Sequence, residues 1–218
     1  MNIIKIILLL FLFNLAAVKR STAKSDDFCV WNDINAIKKF RTSSVSLYGE
    51  FYTKQNSSII DKLSIGLKGD HAFKSWLTGG AGFSLMNYNR ITYHENIDRF
   101  YFQMEPSWHL SHFYFGFRER MQITLYPQTQ SNAQTTYYWR NRFEIVFKKP
   151  KKKLEPLVDV ESFYLCKDLD LSLFNEVRIT LGANYYLAKN QKFKMYGMMT
   201  DGSVLNRYIL GLSYEFKL

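Results

Sequence analysis

The chain has 218 residues, 47% of them apolar, yet its mean hydropathy is only −0.23 and its formal charge is +10. That balance excludes a disordered tail and a polytopic helical membrane protein, whose long apolar runs raise the average well above zero. With Tyr 15 and Phe 18 but Pro only 4, the composition favours sheet.

The first element is a short apolar run, Ile6–Val18, interrupted by Asn14 and preceded by Lys5. It is too short to span a bilayer comfortably and fits the apolar region of a secretory leader; small residues at Ser21-Thr22-Ala23 predict cleavage after Ala23. An uncleaved anchor helix is the alternative. No Cys follows the cut, so no lipid anchor is indicated. Residues 1–23 are therefore expected to be a signal peptide, and their removal leaves a formal +7. Residues 24–42 are a segment of open pairing. Around Val30, Ile34 and Ile37 it looks strand-like, but counting it as a strand would start the barrel at the opposite end from its finish.

From residue 43 the sequence alternates apolar and polar residues with period two, and no helical periodicity competes. Strands are predicted over 43–54, 59–70, 76–89, 98–110, 112–126, 135–149, 155–166, 173–188, 192–200 and 204–218. Strands of soluble sheets average about five or six residues. These are roughly twice that, the length a tilted strand needs to cross a hydrocarbon layer. Their polar faces carry full charges at mid-strand, which an inside-out barrel would point into its lumen. The predicted fold is all-β: an antiparallel up-and-down transmembrane β-barrel of about 10–12 strands occupying residues 43–218. Turns near 71–75, 111, 150–154 and 189–191 are predicted on the periplasmic side, longer links at 90–97 and 127–134 outside, and with ten strands both termini on the turn side. Glu119 and Asn141 fall on the apolar face, as do Gly49, Gly79 and Gly197.

On the polar face, Arg118 and Arg120 stand on one strand and Arg140, Arg142 and Glu144 on the next, followed by Asp159 and Glu161, then Glu176 and Arg178. Basic rows beside an acidic row predict an ion-pair network across the lumen. Two readings follow: a closed barrel held shut by that network, or a small selective pore whose arginines attract small anionic solutes. An enzyme is a third class. Ser107 and His109 share a face near a turn, beside Ser111 and His112, but no nucleophile signature surrounds them. A soluble periplasmic carrier with its apolar row inside is a fourth.

No metal or cofactor pattern is present, and His71 and His94 read as loop residues. Cys29 and Cys166 could pair or remain free thiols. The basic run Lys148-Lys149-Pro150-Lys151-Lys152-Lys153 reads as a turn facing anionic headgroups or solvent rather than a nucleic-acid site.

Trp31, Phe117-Arg118-Glu119-Arg120, Trp139-Arg140-Asn141-Arg142, Phe174-Asn175-Glu176-Val177-Arg178, Leu181-Gly182-Ala183-Asn184-Tyr185 and the ending Leu210-Gly211-Leu212-Ser213-Tyr214-Glu215-Phe216 give the chain a family likeness. In these it resembles a bacterial family defined only as domain of unknown function 2490, whose members look like outer-membrane β-barrels. The resemblance covers nearly the whole chain after the leader. It implies the outer membrane of a Gram-negative bacterium, with outer-membrane lipids and the barrel-assembly machinery as partners, and no activity. The terminal aromatic common in such barrels stands two residues in from the end, at Phe216.

Overall fold

The computed structural model describes residues 26–90, 92–126, 134–150, 152–167, 170–202 and 206–218; the predicted leader lies outside the described residues. Among these residues the chain forms Asp26–Phe40 (β1), Ser43–Lys54 (β2), Ile59–Lys74 (β3), Leu77–Asn89 (β4), His94–Leu110 (β5) and Phe113–Tyr126 (β6). Gln134–Phe147 (β7), Leu154–Lys167 (β8), Asp170–Ala188 (β9), Gln191–Gly202 (β10) and Asn206–Lys217 (β11) follow. Each strand pairs with the next in sequence, and the sheet closes on itself into a barrel. The period-two pattern located the ten strands from β2 onwards to within a few residues at either end.

The segment whose pairing the sequence left open is a full strand. β1 pairs antiparallel with β2 and parallel with β11, the latter in unbroken register from Asp26 opposite Asn206 to Ile37 opposite Lys217. Parity explains the parallel seam. Eleven up-and-down strands leave the first and last pointing the same way, so closure has no antiparallel option. An open sheet would expose two edges of unpaired amides and carbonyls, a larger penalty than the slightly weaker parallel pairing. The expectation that both termini lie on the turn side is thereby corrected: β1 begins at the end that carries the 55–58 link, whereas β11 finishes at the end of the short turns.

Alternation now has a direction. Leu67, Phe102, Leu181 and Met195 point outward and are each more than half exposed, whereas Lys62, Gln103, Arg140, Glu161 and Thr180 point inward and are buried. Polarity is thus inverted relative to a water-soluble sheet. Outward aromatics gather near the short-turn end of β5–β7: Trp108 stacks on Phe115 at 5.6 Å, and Phe113 meets Phe147 at 5.3 Å. Cys29 and Cys166 are both free thiols. They sit on β1 and β8, four strands apart around the wall, too far for a bridge.

Inside, tyrosines lie across glycines on the neighbouring strand. Tyr101 is directly opposite Gly82, and Tyr196 is flanked by Gly182 and Gly211. A Cβ at Gly82 or Gly211 would run into the tyrosine ring. The glycine-rich stretch Gly79-Gly80-Ala81-Gly82 is therefore strand, and its Gly82 is a seat for an aromatic ring.

At the other end, Gln55, Asn56 and Ser57 all adopt positive φ, between 53° and 64°. Left-handed backbone costs about 1 kcal/mol or more per non-glycine residue. The Asp27 carboxylate offsets that strain by accepting the amides of Asn56 at 2.7 Å and Gln55 at 3.2 Å. Asn56 in turn accepts the Phe28 amide through its side-chain oxygen at 3.3 Å. Asp27→Ala is expected to lower unfolding stability by about 1–3 kcal/mol, read as a shift in the denaturant midpoint, while Asp27→Asn recovers part of that loss because its amide oxygen still accepts one of the two bonds.

Candidate functional site

The barrel interior holds two cavities that meet at mid-height. A cavity of about 330 Å³ opens towards the short turns and another of about 350 Å³ towards the longer links. Trp31, Glu50, Tyr52, Arg99, Arg120, Arg140 and Arg178 line both, so these side chains form the septum between them. Each arrives by the alternation of its own strand, which is why seven residues scattered over 148 positions of sequence meet at one level.

One side of the septum is aromatic. Trp31 stacks face to face on Tyr52, with centroids 4.2 Å apart and planes 2° from parallel. Behind them Cys29 and Ile209 are buried, with Tyr52 and Met198 packed against the group. The opposite side is cationic. The Arg140 and Arg178 guanidiniums each lie 4.3 Å from the Phe163 ring centre, and Arg178 also lies 5.2 Å from the Trp31 ring. Arg120 covers Tyr101 at 4.0 Å. Aromatic faces are favourable neighbours for guanidinium, and more so away from water.

Of the residues named from sequence, Arg118, Arg120, Arg140, Arg142, Asp159, Glu161, Glu176 and Arg178 line one or both cavities, and Glu144 lines neither. Their pairing is diagonal. Direct register sets like against like at three places, Arg118 opposite Arg142, Arg120 opposite Arg140 and Glu144 opposite Asp159, and sets Glu161 opposite Arg142 on one side and Arg178 on the other. The like pairs repel. Relief comes from β8, where a single Glu161 oxygen accepts from Arg118 at 2.5 Å and from Arg140 at 3.0 Å. Arg140 also donates to Gln122 Oε1 at 2.7 Å. Arg178 pairs with Glu176 two positions back on its own strand, and Lys194 stands 3.9 Å from Asp159. On the far wall Lys62 pairs with Glu50.

Residues of the septum and beside it were on the predicted polar face but not singled out: Glu50 and Tyr52 flank Phe51, and Arg99, Tyr101 and Gln103 alternate with Phe100 and Phe102. Trp31 and Phe163 are different, being aromatic residues that point inward among charges, which a polar-versus-apolar pattern cannot flag. The Ser–His contact that forms is also not the one considered from sequence. Ser43 Oγ and His71 Nδ1 are 2.9 Å apart on adjacent strands at the exposed turn end, while His109 instead meets the Tyr114 ring edge-on, 5.1 Å between centres.

Residues 28–207 match the family model described as a protein of unknown function, DUF2490, and the chain belongs to that family. Among curated proteins none matches it. Among solved structures it is similar to the β domain of the Bordetella autotransporter BrkA, with TM-score 0.54 and 9% identity over 84% of each chain. At that identity the likeness is one of fold: a closed β-barrel.

Because Glu161 is buried and serves two guanidiniums, Glu161→Gln should be severe. Removing one member of a buried charge cluster typically costs about 3–5 kcal/mol. The double variant Glu161→Gln with Arg118→Met, which removes one stranded cation as well, should recover a measurable part of that loss in denaturant titrations.

Proposed function

We propose that this protein is an integral outer-membrane β-barrel of a Gram-negative bacterium whose lumen is closed at mid-height by the arginine–aromatic septum. The observation that carries the reading is the inverted polarity of a closed sheet: an outward belt of exposed Leu, Phe, Met and Val, and an inward face of buried Lys, Arg, Glu and Gln. An exposed apolar surface of this extent needs an apolar solvent. A soluble carrier would require the opposite arrangement, with the apolar row lining the pocket. Strands of 12–19 residues are long enough to cross tilted. The aromatic cluster of Trp108, Phe113, Phe115, Phe143 and Phe147 sits where a membrane interface would fall. The fold likeness to an autotransporter β domain agrees with this placement.

Closure is supported by the separation of the two cavities at a level crowded with side chains, where Arg140 is tied to Glu161 and Gln122, Arg120 to Gln103, Glu50 to Lys62, and Trp31 is stacked on Tyr52. The role of such a barrel is then that of a sealed scaffold rather than an open channel.

Two measurements test this. The protein is expected to stay in the membrane pellet through carbonate and urea washing and to give no stable conductance steps in planar bilayers; release into the wash, or reproducible steps from the unmodified chain, overturns the reading. Arg140→Ala with Arg178→Ala, which strips both cations from the Phe163 ring and joins the cavities, should introduce small steps. On the outer wall, Leu181→Arg should cost about 2–4 kcal/mol of stability for the barrel folded in lipid, whereas a water-facing position would tolerate the change.

A further inference from the structure

We infer that the septum is a binding site for a small multivalent oxyanion of the phosphate class. The inference goes beyond the sealed-scaffold reading and does not depend on it, since a closed barrel needs no ligand.

The lumen wall carries an excess of positive charge. Among the described residues, the cavity towards the turns is lined by eight basic and four acidic side chains, and the cavity towards the longer links by seven basic and three acidic. Most of those acids are already engaged: Glu50 with Lys62, Glu161 with Arg118 and Arg140, Glu176 with Arg178, Asp61 with Lys54, and Asp159 with Lys194. Asp33, which remains, lies opposite Glu50 on the far wall of the barrel.

Two septum guanidiniums are left over. Arg120 has no carboxylate within ion-pair distance among the described residues; its Nε and Nη2 both donate to the amide oxygen of Gln103, at 3.0 and 2.5 Å. Arg99 is likewise without an ion pair; its side chain bonds Tyr88, but its buried Nε donates to no acceptor, and neither does the buried Nε of Arg118. A buried donor without an acceptor is costly, and more so on a cation. Placing Arg120 opposite Arg140 and next but one to Arg118 adds repulsion on top. An anion seated among these groups removes both penalties at once.

Geometry narrows the class. Arg99, Arg120, Arg140 and Arg178 come from four strands of one arc of the wall, β5, β6, β7 and β9, and all border both cavities. A planar carboxylate is satisfied by one guanidinium fork. Several forks bordering one space suit an anion with several equivalent oxygens, which is the phosphate geometry. The flanking cavities supply room for it. The phosphate could be that of a free anion or that of a lipid headgroup reaching into the lumen; the recognition chemistry is shared.

The test titrates the full detergent-folded barrel with inorganic pyrophosphate by calorimetry and by thermal melting, with sodium chloride at matched ionic strength as control. Saturable binding with a raised melting temperature is expected for pyrophosphate and not for chloride. Arg120→Gln should weaken it by about tenfold or more, the worth of a charge-assisted hydrogen-bonded contact, and Lys149→Gln, an equal charge loss in a turn, should leave it unchanged. Should Arg120→Gln fail to fold, Arg120→Lys retains the charge without the fork and should weaken binding less. Short-chain phosphatidic acid in the same micelles separates the sources: saturation by pyrophosphate supports a free anion, and binding of the lipid alone, lost in the Arg120 variants, supports a headgroup. No saturable binding of either probe at millimolar concentration, or wild-type affinity in the Arg120 variants, overturns the proposal.

Discussion

A closed sheet has two faces and no edges, and period-two alternation assigns every side chain to one of them. Most features of this molecule follow from that constraint. Once β1 and β11 complete the ring, each strand must deliver its polar residues to an enclosed volume only a few side chains across. Charges that would be solvated on an open sheet are forced into one another's company. Closure therefore does more than satisfy backbone amides. It turns a dispersed set of arginines and acids into a single coupled cluster.

That coupling is not optimised pair by pair. Had β7 carried Glu where Arg140 and Arg142 stand, direct register would set opposite charges against Arg118 and Arg120. Instead two basic rows are adjacent and one glutamate on β8 bridges diagonally to both. The aromatic rings complete the arrangement. Phe163 lies between two guanidiniums, and Tyr101 is the face on which Arg120 rests. Aromatic contacts hold cations without neutralising them, which leaves the septum both rigid and electropositive.

The sequence disclosed the wall better than its seam. From β2 onwards the contrast between faces is sharp, as in Leu63, Ile65 and Leu67 against Lys62, Ser64 and Lys68, and the strands were legible. In β1 the contrast fails: inward positions include Cys29 and Trp31, outward positions include Asn32. Its second partner, β11, also lies at the far end of the chain, so no local turn announces that pairing. The site was legible as a set of inward charges but not as a pairing scheme, because a shift of two residues along a strand changes which acid meets which arginine without altering the pattern. The inward aromatics were hidden for the same reason as β1: they resemble outer-face residues in composition and differ only in phase.

The exceptions on the outer face can be understood from the inner one. Glu119 and Asn141, which interrupt the apolar belt, are directly opposite each other, and Ser162 continues the row on β8. Trp139 donates its indole N–H to Asn141 Oδ1 at 2.8 Å. Glu119 lies between Arg118 and Arg120 in sequence, so its carboxylate stands back to back with the arginine cluster, separated by the thickness of one sheet. At roughly 10 Å and an effective dielectric of about 20, opposite charges attract by about 1–2 kcal/mol, and more than one arginine contributes. An isolated acid facing hydrocarbon is penalised, but one set against an unneutralised cationic septum recovers part of that cost through the wall. The outward anion and the inward excess of positive charge are then one electrostatic arrangement, which accounts for an acid in the apolar belt at the level where the lumen is most basic.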